Sequence, residues 1–238
     1  MTLAVLEVAG VSKDYRGLRP LRIHALTVDA AEQVAILGLD QVTAEVFINL
    51  VTGATLPDAG EIRVFGRPTA DICDSADWLA TVDRFGIVSE RAVLLDQLTV
   101  IQNLAMPFTL DIEPQAAAVR ARAEILAQEV GLPAGTWDTP IARLDATSRV
   151  RLRLGRALAL EPGVLLIAHV SAGLPRDAVS GLGREIRGIA ERRGAAIVAA
   201  TADETFGAAV AARVLALDAA TGRLTPRSRR GWFRGRLG

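Results

Sequence analysis

The stretch that decides the fold lies at residues 33–51, which read QVAILGLDQVTAEVFINLV. Its first five residues form a short β-type run, which predicts a strand that ends at Gly38. Apolar residues then recur at helical spacing from Ala44 to Val51, and Gly53 ends that pattern. A strand, a glycine turn and a helix in this order form the unit from which parallel α/β sheets are built.

The alternation of strand and helix continues toward the C-terminus. The continuous apolar run at 164–168 predicts a strand buried on both faces, and the run at 195–201 predicts another. A helical pattern at 176–192 separates them, followed by a short helix at 203–212 and a last strand at 213–218. These elements predict a mostly parallel sheet.

The first half of the chain predicts two additions to this core. Strand-like runs at 3–9 and 21–28 follow one another without a helix between them, which predicts an antiparallel β portion. The stretch from about Asp96 to Arg143 is predicted to be all helical, with helices at 98–106 and 114–130. Further short strands are predicted at 61–65 and 85–88, and an arginine-rich helix at 147–160.

The composition excludes several classes of protein. Half of the 238 residues are hydrophobic, which excludes a disordered chain. One cysteine excludes a disulfide framework and a cysteine-based zinc site. No run approaches the roughly 20 apolar residues of a membrane span. The first ten residues lack a basic region, so no signal peptide is predicted, and a cytoplasmic protein is the default expectation.

The net charge of zero hides a basic C-terminus. Residues 222–238 hold six arginines and no acidic residue, so the other 221 residues carry 21 basic and 27 acidic groups. The tail at 226–238, PRSRRGWFRGRLG, mixes arginines with Trp232 and Phe233. A disordered terminus is the first interpretation and an anionic membrane surface or partner is the second. Nucleic acid comes last, because the acidic body offers no continuing basic face.

The order of the segments resembles one family, the ATP-binding subunit of ABC (ATP-binding cassette) transporters. The resemblance covers nearly the whole chain, from Leu3 to about Leu224, and rests on six motifs in order at matching intervals. They are Gly38 after the strand 34–37, the stretches 50–53 and 57–62 with Gly66, the opening 98–104 of a helical subdomain, the run 156–162 into the strand 164–167, and the segment 171–174, which resembles the family's D-loop. The resemblance implies an α/β, P-loop NTPase-like ABC nucleotide-binding domain over residues 1–225, with an N-terminal antiparallel β portion and an inserted helical subdomain at about 96–160.

The residues at the family's phosphate loop differ from the pattern that the chemistry needs. That loop uses glycines so that backbone N–H groups can close on phosphate oxygens, a lysine for their charge and a hydroxyl for Mg²⁺. Here the inner glycines are replaced by Gln41 and Thr43, the lysine by Ala44, and the next two residues by Glu45 and Val46. Because a helix N-terminus favours an anion, Glu45 is expected to supply that anion internally.

A triphosphate is therefore expected to meet carboxylates without a cation, at a cost of about 4 kcal/mol for two charges 4 Å apart at an effective dielectric of 20. No cofactor is expected, although weak ATP binding stays open because Tyr15 matches the aromatic residue that stacks on adenine in the family. Tyr15 is interpreted equally well as a packing residue. The resemblance implies a vestigial nucleotide site at Tyr15, Gly38, Asp40, Thr43, Ala44, Glu45 and Val46.

The other positions that the family uses for chemistry also carry different residues. The metal-binding aspartate and the catalytic glutamate fall on Ala168 and His169, and the glutamine of the Q-loop falls on Glu90. The remaining matches are Ala202 for the switch histidine, residues 144–148 for the signature motif and Pro175 for the D-loop aspartate. A site without these groups lacks the parts of phosphoryl transfer, so no catalytic residue and no metal ligand is predicted.

Several of these residues have a structural interpretation beside the functional one. His169 is a general base or, in the favoured interpretation, a strand-end histidine with a local hydrogen bond. Asp145 is predicted to cap the helix at 146–160. Asp40, Glu45 and Glu90 form a cation site or, in the favoured interpretation, a solvated acidic cluster. The stripe of arginines at 149, 151, 153 and 156 is not expected to face one way, so a solvated surface is the preferred interpretation.

The function that follows is a non-hydrolysing scaffold or regulator, a pseudo-ATPase that docks on a membrane permease or a paralogous cassette, in a dimer where the family arrangement holds. One alternative is a working ABC-type ATPase that binds and hydrolyses ATP. A second is a free-standing interaction protein. The predicted location is cytoplasmic, on the inner face of the membrane where a permease is present. The groove for the permease is predicted around 90–107, lined by Phe85, Leu94, Leu95 and Met106.

Overall fold

The structure is a computed structural model that describes residues 3–113 and 115–227. Its strands are β1 (Ala4–Lys13), β2 (Leu21–Asp29), β3 (Gln33–Leu37), β4 (Ala59–Val64), β5 (Arg67–Pro68), β6 (Phe85–Ser89), β7 (Val164–Ala168), β8 (Ala196–Thr201), β9 (Arg213–Asp218) and β10 (Arg223–Pro226). Its helices are α1 (Gln41–Val51), α2 (Ser75–Val82), α3 (Val100–Ala105), α4 (Ala117–Glu129), α5 (Ala146–Leu158), α6 (Arg176–Arg193) and α7 (Glu204–Val210). The chain therefore has the α/β character that the sequence predicts.

A six-stranded sheet in the order β10-β9-β3-β8-β7-β6 forms the centre of the fold. All of its pairs are parallel except β9 with β10. Strand β3 is buried along its whole length and lies between β8 and β9, with Leu37 paired to Thr201. Ala168 at the end of β7 pairs with Ala200 near the end of β8. The turns that follow β3, β7 and β8 therefore meet at one edge of the sheet.

A second, antiparallel sheet has the order β2-β1-β4-β5 and confirms the predicted β portion at the start of the chain. Its inner face packs on α1 and on one side of the parallel sheet, in a core that includes Leu6, Ile23, Phe47 and Leu50. A separate core joins the other side of the parallel sheet to α3, α4, α5 and α6. Helix α1 is thus held between the two sheets.

The helical part is less continuous than predicted. The stretch 96–143 is not all helical, because α3 and α4 are separated by irregular chain and followed by two short 3₁₀ turns, Ala134–Thr136 and Ile141–Arg143. The predicted helix at 114–130 begins instead at Ala117, after an N-cap position that no side chain caps. Helix α5 begins and ends within two residues of its prediction.

Three elements were absent from the sequence prediction. They are α2, β5 and β10. Helix α2 has no buried residue, so its sequence lacks a clear apolar stripe. Strands β5 and β10 are short, and each is defined by its antiparallel pairing with the preceding strand rather than by an apolar run.

Gly38 is a position where the backbone leaves no room for a side chain. Its φ angle is +96°, and a Cβ atom would come within 2.8 Å of the Leu217 carbonyl oxygen on β9. Only glycine allows this turn without strain, because an L side chain rarely adopts that φ value. The close approach fixes where the chain enters α1.

We expect Gly38→Ala to lower the free energy of unfolding by about 2 kcal/mol or more, since it combines a positive φ with a backbone clash. Gly181→Ala is the matched control, because Gly181 lies inside α6 and a Cβ atom there meets nothing within 4 Å. That change should instead stabilise the protein by about 0.5–1 kcal/mol. Urea denaturation measures both; equal effects of the two substitutions would contradict the role given to Gly38.

Candidate functional site

The edge where the turns after β3, β7 and β8 meet holds most of the residues that the sequence singled out. Gly38 leaves β3, Leu39 is buried, and Asp40 is already the N-cap of α1. The helix starts at Gln41, so Thr43 and Ala44 lie in its first turns rather than in an open loop. Without glycine at 41 or 43, this segment follows the helical path that the Asp40 cap favours.

Asp40 occupies the N-terminus of α1. Its carboxylate accepts a hydrogen bond from the Thr43 backbone N–H at 2.7 Å and another from the Thr43 hydroxyl at 2.7 Å. These two bonds hold the pKa of Asp40 below its usual value of 3.8, and the charge of His169 acts in the same direction. The prediction that Glu45 supplies the anion at this helix end is therefore wrong, because Asp40 precedes the helix and Glu45 lies beyond its first turn.

Glu45 instead forms an ion pair with Arg91, in which Nε and Oε1 are 2.5 Å apart. The Glu45 side chain is 15% exposed and that of Arg91 is 73% exposed. The expectation that this region lacks a cation is therefore also wrong. Sequence reasoning missed Arg91, although its position directly after Glu90, at the end of a predicted strand, could have indicated it. The guanidinium is already neutralised by the carboxylate beside it.

The remaining residues of the predicted site belong to the core. Ala44 is fully buried, where it packs with Phe47 and Leu50. Val46 and Tyr15 both pack against this same cluster. The ring of Tyr15 also covers Gly17, where a Cβ atom would lie only 2.4 Å from Cε2. These contacts support the packing interpretation of Tyr15.

His169 adopts a left-handed backbone conformation directly after β7, with a φ angle of +50°. Its N–H group donates to the Ala200 carbonyl at 2.9 Å, which ties the turn to β8. The ring atom Nε2 is buried and has no hydrogen-bond partner among the described residues. The expected local hydrogen bond of the histidine is thus made by its backbone, not by this ring nitrogen.

A cavity of about 240 Å³ lies beside His169. Buried hydroxyl-bearing residues Ser171 and Thr201 line it, together with Ala202 and Asp203. The Thr201 hydroxyl accepts a hydrogen bond from the Asp203 N–H at 3.0 Å, and Asp203 caps α7. The polar groups at this edge are therefore used largely to close turns and helix ends.

Asp145 caps α5, as the sequence predicts. Its carboxylate accepts from the Ser148 backbone N–H at 2.7 Å and from the Ser148 hydroxyl at 3.2 Å. An aspartate at an N-cap stabilises a helix typically by about 1 kcal/mol relative to alanine. Helix α1 at the candidate site and helix α5 at the signature positions thus both begin with an aspartate N-cap.

The arginines of α5 do not all face one way, as the sequence predicts, but three of them bind specific partners instead of forming only a solvated surface. Arg149 pairs with Asp96 at 3.1 Å, and Arg156 donates to the Val93 carbonyl at 2.5 Å. These residues share one face with Arg153, because positions 149, 153 and 156 follow helical spacing. The fourth, Arg151, points to the other side and pairs with Glu185 at 2.7 Å.

The predicted groove around 90–107 is only partly formed by the residues named for it. Phe85 is buried and packs against Phe65, with ring centroids 5.2 Å apart, so it does not line a surface groove. Leu94 is half-buried against the helical core, and Met106 is half-buried. Leu95 is 40% exposed and the neighbouring Val93 is 68% exposed.

With this architecture in place, comparison with known proteins gives the family. A sequence profile described as "ABC transporter" matches residues 21–168. The chain belongs to the ABC transporter family. It is 31% identical over 90% of its length to the sulfate/thiosulfate import ATP-binding protein CysA 2 of Chromobacterium violaceum, and 30% identical over 90% of its length to the lipoprotein-releasing system ATP-binding protein LolD of Chromohalobacter salexigens.

The fold of this ABC family member is also that of solved family structures. The structure of cbiO1 from Clostridium perfringens, part of the ABC transporter complex cbiONQ, superposes with a TM-score of 0.77 at 21% identity. The match covers 93% of this chain and 87% of the cbiO1 chain. The coverage of relatives differs. The chain spans 56% of the length of CysA 2 but 91% of LolD, and 63% of the methionine import ATP-binding protein MetN of Caulobacter vibrioides.

Three further sequence interpretations concern a metal site, a membrane span and the basic tail. Within 3–113 and 115–227, no group of three or more acidic, histidine or cysteine side chains is arranged to hold a metal ion, and Asp40, Glu45 and Glu90 form no such group. No helix in that part of the chain is both long and apolar enough to cross a membrane. Residues 228–238 of the basic tail lie outside the described residues, while Pro226 belongs to β10 and Arg227 pairs with Glu204 at 2.5 Å.

The Asp40 cap gives a prediction for the pH dependence of stability. Because folding lowers the pKa of Asp40, the carboxylate contributes stability above its unfolded value of 3.8, and this contribution is lost as the pH falls through the lower folded value. Asp40→Asn keeps a good N-cap but does not titrate. We therefore expect wild-type urea midpoints to fall further than those of Asp40→Asn between about pH 5 and pH 3. Parallel curves would show that the cap does not titrate as described.

Proposed function

We propose that this ABC family member is an ATP-binding-type subunit that works without hydrolysing ATP, as a scaffold or regulator on a membrane permease or on a paralogous cassette. The observation that carries the proposal is the Asp40 carboxylate at the N-terminus of α1, bonded to the Thr43 N–H at 2.7 Å. The proposal places the protein on the cytoplasmic face of the membrane, in a dimer with its cassette partner.

The first argument concerns the N–H groups of α1. Bound phosphate at a helix N-terminus is stabilised by free N–H groups and by the helix dipole. Here an acidic side chain already lies at that end and takes the Thr43 N–H. A phosphate group brought to the same place would displace this bond and would repel the carboxylate by about 4 kcal/mol at 4 Å and an effective dielectric of 20.

The second argument concerns cations. Ala44 stands where the resemblance expects a lysine and is fully buried. The one lysine of the sequence, Lys13, is paired with Asp58 at 2.8 Å. Arg91 is the cation next to α1, and its charge is balanced by Glu45. This arrangement supports a site whose charges are already compensated before any nucleotide arrives.

The third argument concerns the chemical step. Phosphoryl transfer depends on positioning and on stabilisation of charge, largely through a metal ion and a residue that orients the attacking water. Ala168 offers no metal ligand, and Ala202 lies at the place of the switch histidine. His169 stands at the place of the catalytic glutamate, and it lies beside Asp40 rather than beside a metal-binding carboxylate.

A working ATPase is the second candidate, and the comparisons favour it. The relatives CysA 2 and LolD are named ATP-binding proteins and match nine tenths of this chain at about 30% identity. In such a protein, Arg91 leaves Glu45 to meet a phosphate group, since its side chain is 73% exposed. Tyr15 then supplies the aromatic surface for adenine.

Calorimetry with Mg-ATP separates these candidates. We expect no saturable binding below roughly 1 mM, equivalent to a binding free energy weaker than about −4 kcal/mol. We also expect no release of phosphate above the rate without protein. LolD, measured under the same conditions, is the positive control. Micromolar, magnesium-dependent binding together with hydrolysis would establish the working ATPase instead.

A matched variant tests whether the α1 N-terminus is the cause. Gln41→Gly, Thr43→Gly, Ala44→Lys and Glu45→Ser, combined in one chain with Asp40→Asn, restore the glycines, the lysine and a hydroxyl and remove both carboxylates. We expect this variant to bind Mg-ATP at least about tenfold more tightly than wild type, a gain of about 1.4 kcal/mol. A folded variant with unchanged affinity, checked by circular dichroism, would contradict the explanation.

The docking part of the proposal is tested by capture from membranes. We expect the full chain to retain a permease or a second cassette, and Val93→Asp with Leu95→Asp to lose it, because charges replace exposed apolar side chains on the segment between β6 and α3. Leu79→Asp is the control, since Leu79 is 54% exposed on α2, outside that segment. A chain lacking 228–238 shows whether the tail contributes. Recovery of neither partner would favour a free-standing protein.

A further inference from the structure

The segment between β6 and α3 is held on both sides by charged and polar side chains. We call this segment, residues 90–98, the strap. It contains no helix or strand, yet it connects the parallel sheet to the helical part of the fold. Among its amides, Ala92 donates to the Ser89 carbonyl at 3.1 Å, and Leu98 donates to the Leu95 carbonyl at 3.0 Å.

One side of the strap is attached to α1. Arg91 forms the ion pair with Glu45 at 2.5 Å. Because the Glu45 side chain is only 15% exposed, its carboxylate is partly shielded from water, where a charge pair is screened less than on an open surface. This contact joins the strap to the helix that follows the central strand β3.

The other side of the strap is attached to α5. Arg149 reaches Asp96 at 3.1 Å, and Arg156 reaches the Val93 carbonyl at 2.5 Å. Arg153 lies between them on the same face of the helix. Burial lowers the pKa of Arg153, and the charge of Glu90 opposes that effect. The arginine face of α5 is therefore directed at the strap along about two turns of helix.

A buried amide completes the attachment. Asn103 on α3 has no exposed surface. Its Oδ1 accepts from the Leu95 N–H at 3.0 Å, and its Nδ2 donates to the Leu95 carbonyl at 3.1 Å and to the Thr99 carbonyl at 3.0 Å. Both the N–H and the carbonyl of Leu95 are thus hydrogen-bonded to Asn103, so the middle of the strap is also attached to the helical part.

We infer that the strap is an electrostatic clamp, in which Glu45 from α1 and the arginine face of α5 hold the sheet and the helical part in one fixed relation with the chain's own charges and without a ligand. The clamp does not depend on the proposed function, because its contacts are complete whether or not the protein hydrolyses ATP. It predicts that the strap is ordered in the nucleotide-free protein and loosens as salt is raised.

Hydrogen exchange of the full chain, followed by mass spectrometry, tests the clamp. Glu45→Gln and Asp96→Asn each remove one charge from a clamp pair and keep the shape of the side chain. We expect each to speed exchange of the amides of Ala92, Leu95 and Leu98 by about threefold, the effect usual for loss of one partly exposed ion pair. Wild type in about 1 M salt should exchange faster than either single variant, because a Debye length of about 3 Å weakens both ion pairs at once.

Glu185→Gln is the matched control. Glu185 pairs with Arg151 on the opposite side of α5, and its side chain is 48% exposed against 57% for Asp96. This variant should leave exchange in the strap unchanged. The clamp is refuted if strap exchange is insensitive to salt and to both test variants, or if Glu185→Gln accelerates it equally.

A distance measurement tests the link between the two parts. Cys73 is the one cysteine of the sequence and is exposed next to α2, so a single Ala121→Cys change on an exposed position of α4 provides a pair for spin labels. We expect one narrow distance distribution without nucleotide, which becomes broader when Glu45→Gln and Asp96→Asn are combined. A distribution that is already broad in wild type, or unchanged in the double variant, overturns the inference.

Discussion

The hydrogen bond from the Thr43 N–H to the Asp40 carboxylate sets the character of the candidate site. It closes the first turn of α1 three residues after the central strand ends at Leu37. Since Gly38 approaches the Leu217 carbonyl, the chain has one route out of the sheet, and the cap determines that it continues as helix. Residues 41–46 of the phosphate-loop positions are consequently part of a helix whose N-terminus already carries the Asp40 carboxylate. Beside them, Glu45 is paired with Arg91.

Compensation of charge within the chain is a recurring feature of this edge of the sheet. Glu45 forms an ion pair with Arg91, and Asp145 caps the N-terminus of α5. Two arginines of α5 bind the strap through an ion pair and a hydrogen bond. Individually, pairs of this kind contribute little when they are exposed, between about 0 and 1 kcal/mol. Their effect is larger as a set, because they connect α1, the strap and α5, which belong to different packing layers. In this arrangement Asp40 accepts from the Thr43 N–H and Glu45 balances the charge of Arg91, and this is the physical basis of the proposed non-hydrolysing role.

The sequence predicted the buried strands and the long helices well, for a local reason. Strands β7 and β8 are continuous apolar runs, and the Asp145 cap stands directly before a periodic helix. Helix α2 was missed because none of its residues is buried, and β10 was missed because its pairing with β9 carries no apolar signal of its own. Within the candidate site, the missing lysine and metal-binding aspartate were evident from residue types, but Glu45 was assigned to the helix end that Asp40 occupies. That error arose because the start of a helix depends on which residue caps it, and residues 40–46 contain more than one acidic candidate.

By itself, the sequence determined the order of the buried strands and the long helices, the family, and the replacement of glycines, lysine and metal-binding aspartate by other residue types. These are properties of position and composition, which a chain carries before it folds. The tertiary structure alone decided which charges face each other. Arg91 meets Glu45 across 46 positions of sequence, and Arg149 meets Asp96 across 53, because parallel strands bring distant turns to one edge and helix α5 packs beside β6. Contacts of that separation follow from the packing of layers, and no local pattern in the sequence encodes them.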